Sequence, residues 1–362
     1  MIMRVALRDT YRPSGCRGGV GYFTILLGQA MGRLMREFEV YTAEPDAFPG
    51  CNTISDITFS CSGMKRKLIS IQKQLRPYRR LSGYTHMIFP HPFEPLVHAP
   101  NSKRILVMHD VIPLMFRERN LKGMLQYLYY KNYLLRILHR VDKIVAISNN
   151  TKNDLLKMYN LMPSKIEVIP CGYNSGLAAV SAADSKLAIN NYILCIGSAL
   201  PHKNIMQLIK AMALIGSKLD IDLGVAGMHE TENHFKITTQ HNIRNRVHFL
   251  GAVSDERLSA ILKNAKALVF PSLYEGFGMP PLEAMSCGVP AVVSNASSMP
   301  EVCGEAAVYF DPLSASDMAT AIERALADNG LREKCIRKGY EQVERYKWDA
   351  IANKYLELII NL

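Results

Sequence analysis

The segment Pro271-Ser272-Leu273-Tyr274-Glu275-Gly276-Phe277-Gly278-Met279-Pro280-Pro281-Leu282-Glu283-Ala284-Met285 reads as a strand handed to a helix through a glycine-rich turn. The apolar run at 267–270 ahead of it is a buried strand, and the turn opens into a helical pattern. Gly276 and Gly278 allow a backbone to approach a ligand closely, and the N–H groups at the helix start suit phosphate. Glu275 and Glu283, with seven residues between them, are spaced so that both carboxylates can face one crevice and accept hydrogen bonds from sugar-like hydroxyls. The plainer reading is a tight strand–helix turn with two solvated glutamates.

Outward from this segment, strand-like runs recur at 192–196, 220–226, 247–250 and 291–294. Earlier in the chain they fall at 3–7, 87–89, 104–108, 143–147 and 166–170. Helical patterns lie between them, at 22–36, 204–215, 255–263 and 316–328. That alternation predicts an α/β fold of doubly wound parallel sheets, with ligands at the C-terminal ends of strands. A chain of 362 residues suits two such domains facing a cleft. The expected division is 1–172, a linker at 173–190 with little periodicity, and 191–344. A C-terminal helix at about 345–362 is expected to pack back on the first domain.

Composition excludes several classes. The chain is 48% apolar and 21% charged with a mean hydropathy near zero, ordinary for a globular protein. It lacks a run of the roughly 18–20 apolar residues a membrane span needs. Arg8 and Asp9 stand where a secretion leader would be apolar, so a cytoplasmic location is expected. Eight scattered cysteines without a C-x-x-C pair predict neither disulfide nor structural zinc. Residues 1–172 carry 25 Lys/Arg against 12 Asp/Glu, a net of +13, whereas 173–362 carry 18 against 20. So uneven a charge predicts an anionic partner for the first half. Without zinc-finger or RNA-binding signatures, no nucleic acid is expected. The partner is instead an anionic membrane, at its inner face, met through residues 64–80 and 122–143. The first stretch holds Lys65, Arg66, Lys67, Arg79 and Arg80; the second interleaves Lys122, Lys131, Arg136, Arg140 and Lys143 with tyrosines and leucines. Tyrosine and cations beside an apolar face suit an interface, and a leucine stripe equally suits a helix packed on its own sheet.

Two further loops hold chemistry. In Gly197-Ser198-Ala199-Leu200-Pro201-His202-Lys203-Asn204, Lys203 precedes a helix start, where a cation opposes the helix dipole unless an anion binds there. His109-Asp110 ends the run at 104–108; Asp110 is read as orienting backbone or His109. His91 is a second, lesser candidate. No metal site and no cofactor are expected.

The glutamate-paired segment resembles the E-x7-E motif of the retaining, nucleotide-sugar-dependent glycosyltransferases of family 4, which have the GT-B fold. Gly18-Gly19-Val20-Gly21, Ala146-Ile147-Ser148, Val168-Ile169-Pro170, Cys287–Asn295, Pro300-Glu301-Val302 and the Trp348 segment are similar to that family in the same order. The resemblance implies transfer of a hexose, mannose by family similarity, from a GDP- or UDP-linked donor to a saccharide or lipid-linked acceptor in cell-surface polysaccharide synthesis. It implies catalytic roles for His109, Glu275 and Lys203, with Glu275 on donor sugar hydroxyls and Glu283 on the ribose diol. The backbone of Gly276, Phe277, Gly278 and Met279 would line the donor, the turn Gly251-Ala252-Val253 would receive the base, and Gly19 and Ser198 would be donor-binding, Ser198 at the position of the diphosphate. The family usually has an arginine where Ser198 stands, so a second phosphate cation is missing, and Arg17 is the available substitute. A non-catalytic GT-B subunit, a lipid-binding module and a GT-B epimerase remain as alternatives.

Overall fold

A computed structural model of the chain describes residues 3–9, 19–42, 44–54, 83–92, 101–116, 121–179 and 191–362. Arg17, the basic stretch 64–80 and residues 180–190 lie outside the described residues. The chain divides into two compact units, Met1–Gly172 with Trp348–Leu362, and Tyr173–Lys347.

In the first unit the strands are β1 (Val5–Asp9), β2 (Phe38–Thr42), β3 (Asn52–Ile54), β4 (His86–Phe89), β5 (Lys103–Met108), β6 (Lys143–Ala146) and β7 (Ile166–Val168). They pair in the order β3-β2-β1-β4-β5-β6-β7, every pairing parallel. The second unit has β8 (Tyr192–Ile196), β9 (Asp222–Ala226), β10 (Val247–Gly251), β11 (Leu268–Phe270), β12 (Ala291–Ser294) and β13 (Ala307–Phe310). Their order is β10-β9-β8-β11-β12-β13, again parallel.

The strand sequences explain the arrangement. β11 and β12 are buried at every residue, as strands covered by helices on both faces must be. In the second unit the helices Ile205–Ile215 and Ala315–Ala327 contribute Leu208, Ile209, Met212, Met318 and Ile322 to one core cluster with Val225, Val269 and Val292. Each such side chain taken from water stabilises by about 1.5–3 kcal/mol. Ser314 starts the second of these helices by accepting from the Asp317 amide at 3.1 Å.

Several boundaries differ from the sequence expectation. The first helix runs Gly19–Leu34, so Gly19, Val20 and Gly21 are helical rather than loop. Glycine is tolerated in a first turn, whose amides have no intrahelical partners anyway. Gly21 is buried there, and Thr24 Oγ1 donates back to the Val20 carbonyl at 2.8 Å. The strands β2, β3 and β13 fall outside the runs expected from sequence; β2 is interrupted by half-buried Glu39, β3 has only three residues, and β13 alternates half-buried and buried residues.

The helix Trp348–Ile360 belongs to the first unit and lies against Gly19–Leu34. Trp348 meets Phe23 edge-on with ring centroids 5.5 Å apart, and Arg33 Nη2 reaches Asp349 Oδ1 at 2.6 Å. Among the described residues no helix is long and apolar enough to cross a membrane.

In each sheet the chain order turns back between neighbouring strands, at β1/β4 and at β8/β11. Loops leaving adjacent strands on opposite sides open a crevice there, where ligands of doubly wound folds bind.

The returning helix packs tightly on the first unit at Gly172, where an added Cβ would lie 2.5 Å from the Trp348 indole. Gly172→Ala should therefore destabilise the chain by about 1–3 kcal/mol, as overpacking does; an unchanged urea midpoint would show that the indole moves aside freely.

Candidate active site

The crevice between β8 and β11 assembles the second unit's chemistry. β8 ends into Gly197-Ser198, and the chain makes a 3-10 turn Pro201–Lys203 before the helix Ile205–Ile215. β11 ends into the Pro271–Gly278 turn before the helix Met279–Ser286. Because β8 and β11 are neighbours, residues 72 positions apart meet: Lys203 Nζ lies 2.6 Å from Glu275 Oε1. Both side chains are mostly buried, with 20% and 11% of their surface exposed, and Lys203 Nζ also sits 5.4 Å from the Phe270 ring centroid. The pair is thus a charge-assisted hydrogen bond shielded from much of the solvent.

Both loops are fixed by polar side chains that the sequence reading did not single out. Asn204, in the left-handed region at φ 59°, donates through Nδ2 to the carbonyls of Pro271 at 3.0 Å and Pro312 at 2.8 Å. It ties the Lys203 turn to the loops after β11 and β13. Asparagine tolerates this conformation better than most residues, which was the available signal. Leu273 N donates to the His202 carbonyl at 2.7 Å, a second tie. On the other side Ser297 Oγ accepts from Glu275 N at 3.1 Å and donates to Glu275 O at 2.6 Å. Ser298 Oγ lies within 3.0 Å of the Glu275 carbonyl and 2.8 Å of the Phe277 carbonyl. The backbone around Glu275 is held from three directions.

Gly278 caps the helix Met279–Ser286 with φ 99°, where any side chain is strained and would run into Met299. Phe277 is buried, its ring edge-on to Tyr346 at 5.4 Å. Its side chain therefore anchors the turn, leaving only its backbone to face the crevice. Pro280 and Pro281 follow in the first turn, where a missing N–H removes no intrahelical bond.

Glu283 lies one helix turn further on, half-buried, and its carboxyl is pushed up to about 7 by burial, against the pull of a hydrogen bond from the Asn174 backbone amide. Asn174 falls within the stretch read as a linker. Residues 173–179 instead belong to the second unit: the turn Gly176–Ala179 is tied down by Ser259 Oγ to the Leu177 carbonyl at 2.5 Å and by Lys263 Nζ to the Ala178 carbonyl at 2.7 Å. These bonds join positions more than eighty residues apart, so local periodicity could not reveal them.

Ser198 lies in the half-buried loop after β8. Gly251, at φ 67°, closes β10 with its amide donating to Met228 O at 3.1 Å and its carbonyl accepting from Gly227 N at 2.8 Å. A base recognised at this turn must use Ala252 and Val253 backbone more than Gly251. The Asp220-Ile221-Asp222 spacing, which can present two carboxylates to a divalent ion, opens β9 at its N-terminal end, away from the crevice. Asp222 there accepts from His248 Nε2 at 3.0 Å. Among the described residues no group of three or more His, Cys, Asp or Glu is placed to hold a metal.

In the first unit His109 follows β5, and its Nε2 lies 2.7 Å from the Pro90 carbonyl. A carbonyl only accepts, so Nε2 carries the proton and Nδ1 is left as an acceptor. Burial holds this histidine down to about 4, and His91 beside it down to about 3, so both are neutral near pH 7. The ring packs edge-on to Phe23 at 4.7 Å. Asp110 Oδ1 accepts from Ile112 N at 2.8 Å, which shapes the following turn. Gly19 is the exposed first residue of its helix.

Residues 17–176 match the family described as Glycosyltransferase Family 4, and residues 182–342 match Glycosyl transferases group 1. O-antigen chain mannosyltransferase B of Escherichia coli is 28% identical over 356 residues, covering 91% of this chain and 93% of that protein. Among solved structures, the sucrose-phosphate synthase of Thermosynechococcus elongatus superposes with a TM-score of 0.79 at 20% identity, covering 99% of each chain. HepE of Anabaena in complex with UDP and glucose gives 0.76 at 18%, covering 100% of both.

The raised Glu283 carboxyl makes stability depend on pH. A carboxyl whose folded pKa exceeds its unfolded value favours folding while protonated, fully below about pH 4.5 and progressively less as pH rises through about 7. With part of the residue at the surface, the loss is on the order of 2 kcal/mol. Glu283→Gln should flatten the stability difference between pH 5 and pH 8 measured by urea denaturation; an undiminished difference would place its origin elsewhere.

Proposed function

Because the chain belongs to the group 1 glycosyltransferases of family 4, with the GT-B fold, we propose that it moves a mannose-like hexose from a nucleoside-diphosphate donor to a hydroxyl of a saccharide or lipid-linked saccharide, retaining the anomeric configuration. The observation that carries the reading is the Lys203–Glu275 contact at 2.6 Å, beside a glycine-capped helix start.

The donor's diphosphate takes the Lys203 ammonium, with the Gly278 and Met279 amides as further donors, because Pro280 and Pro281 have no N–H to give. Charge growing on the departing nucleoside diphosphate is met by groups already in place, the most effective form of electrostatic catalysis. Glu275, released from Lys203, accepts hydrogen bonds from the donor sugar, and Glu283 does so from the ribose diol. His109, neutral with Nδ1 as an acceptor, holds a further sugar hydroxyl. Ala252 and Val253 receive the base through backbone groups. The anomeric carbon's bond to phosphate oxygen breaks and a bond to the acceptor oxygen forms on the same face. The acceptor's proton passes to the leaving phosphate oxygen, so no protein base is required.

Lys203, with the Gly278 and Met279 amides, does the work of a divalent ion, and the reaction runs without one or any other cofactor. The name of the Escherichia coli relative supports mannose and a cell-surface polysaccharide, and the UDP bound to the Anabaena protein keeps UDP beside GDP as the carrier. The basic first half favours a cytoplasmic enzyme working at the inner face of the membrane, where a lipid-linked acceptor is presented.

Lys203→Ala should lower turnover about 10²-fold or more, and EDTA should change it little. Glu275→Gln should also depress turnover, yet bind free nucleoside diphosphate at least as tightly, since Lys203 then has no counter-charge beside it. Calorimetry with UDP and GDP alongside product formation separates these effects. A strict Mg²⁺ requirement, or loss of nucleotide binding in Glu275→Gln, would overturn this account of the leaving group.

A further inference from the structure

The helix Leu121–Arg140 has two faces that cannot both be core. Tyr130, Leu134, Ile137 and Leu138 are buried against the first unit. Tyr133 adds a hydrogen bond from Oη to the Pro92 carbonyl at 3.2 Å. On the outward side Leu121, Met124, Leu125, Leu128, Tyr129 and Leu135 are 69%, 46%, 57%, 44%, 65% and 40% exposed. Their spacing of three, four and seven residues places the five aliphatic ones in one stripe along the axis. Single exposed leucines are ordinary, but a contiguous row of them marks an interaction surface.

The flanks of the stripe identify the partner. Lys131, Arg136 and Arg140 are exposed and fall on the two edges of the apolar row at about 100° per residue. Over its whole length the helix has no Asp or Glu. A second copy laid on this face would bring cation against cation with no carboxylate to separate them. An anionic bilayer offers what both parts of the surface need, acyl chains for the leucines and phosphates for the cations. Tyr129, stacked on Tyr133 with centroids 6.1 Å apart, presents an amphipathic ring of the kind that favours the boundary. At 20 residues the helix is about 30 Å long, long enough to lie in the interface as an amphipathic anchor.

We propose that the outward face of the helix Leu121–Arg140 is a docking face for anionic lipid bilayer, with its leucines entering the acyl boundary and Lys131, Arg136 and Arg140 meeting lipid phosphates. This deepens the membrane part of the proposed function and stands apart from the donor chemistry. Binding therefore has an apolar component that salt does not remove, beside the electrostatic one that salt screens.

The test uses the full chain and vesicles of phosphatidylglycerol and phosphatidylcholine in equal parts, with pure phosphatidylcholine as control. Leu125→Ser with Leu128→Ser should weaken binding at least tenfold and leave the melting temperature unchanged or higher, because both side chains are exposed. Lys131→Gln with Arg136→Gln should weaken binding at low salt by roughly tenfold and by less at high salt. Tyr129→Trp provides an independent reporter, whose indole emission should shift to the blue when anionic vesicles are added. Nucleotide binding should be unaffected in every variant, which separates failure here from failure of the transferase reading. Undiminished vesicle binding in the leucine variant, an unshifted emission from the Tyr129→Trp protein, or a protein dimer dissolved by the leucine changes without vesicle binding would each overturn the proposal.

Discussion

The contact between Lys203 and Glu275 depends on one topological fact, that β8 and β11 lie side by side although they are separated by two other strands in sequence. An ion pair this far from bulk water gains little net stability, because desolvating two charges offsets most of their attraction. Packing alone would be served as well by two apolar side chains. What the pair supplies is a cation and a carboxylate held together where the loops after β8 and β11 meet. The ligand-free state is neutral overall at this point, so neither charge is left buried and unmatched.

The rest of the second unit keeps that contact from drifting. Asn204 bridges two loop carbonyls, and Ser297 and Ser298 bind the backbone at Glu275 and Phe277. Phe277 gives its side chain to Tyr346, so the turn is pinned on its inner side and presents backbone on the other. Gly278 is required because the chain must reverse at φ 99° beside Met299. Hydrogen-bonded loops of this kind make a site precise without making it large. Glu283 lies one helix turn further on, its carboxyl pushed up to about 7 by burial.

The first unit is organised around different physics. Its histidines at 91 and 109 are neutral, held by burial and, at His109, by a backbone carbonyl, so they contribute direction rather than charge. Among its described residues, exposed charge includes Lys131, Arg136 and Arg140. On the helix Leu121–Arg140 they flank exposed leucines that the same helix has no means to bury.

By itself the sequence determined the α/β class, the two units and the segment from Pro271 to Met285, because buried strands, glycine turns and helix starts are local patterns. It also identified Lys203, Glu275 and Glu283 as candidate residues, each beside such a pattern. It left two readings open for the Leu121–Arg140 stripe, since periodicity reports that a helix has an apolar side without reporting whether a second one is exposed. Only the tertiary structure decided that question, and it found leucines on both faces. Only it brought Lys203 onto Glu275, Asn174 onto Glu283 and the two serines onto the turn. Those contacts join residues from about twenty to more than a hundred positions apart. Strand order sets them, and strand order follows from how whole faces bury together rather than from any short stretch of residues.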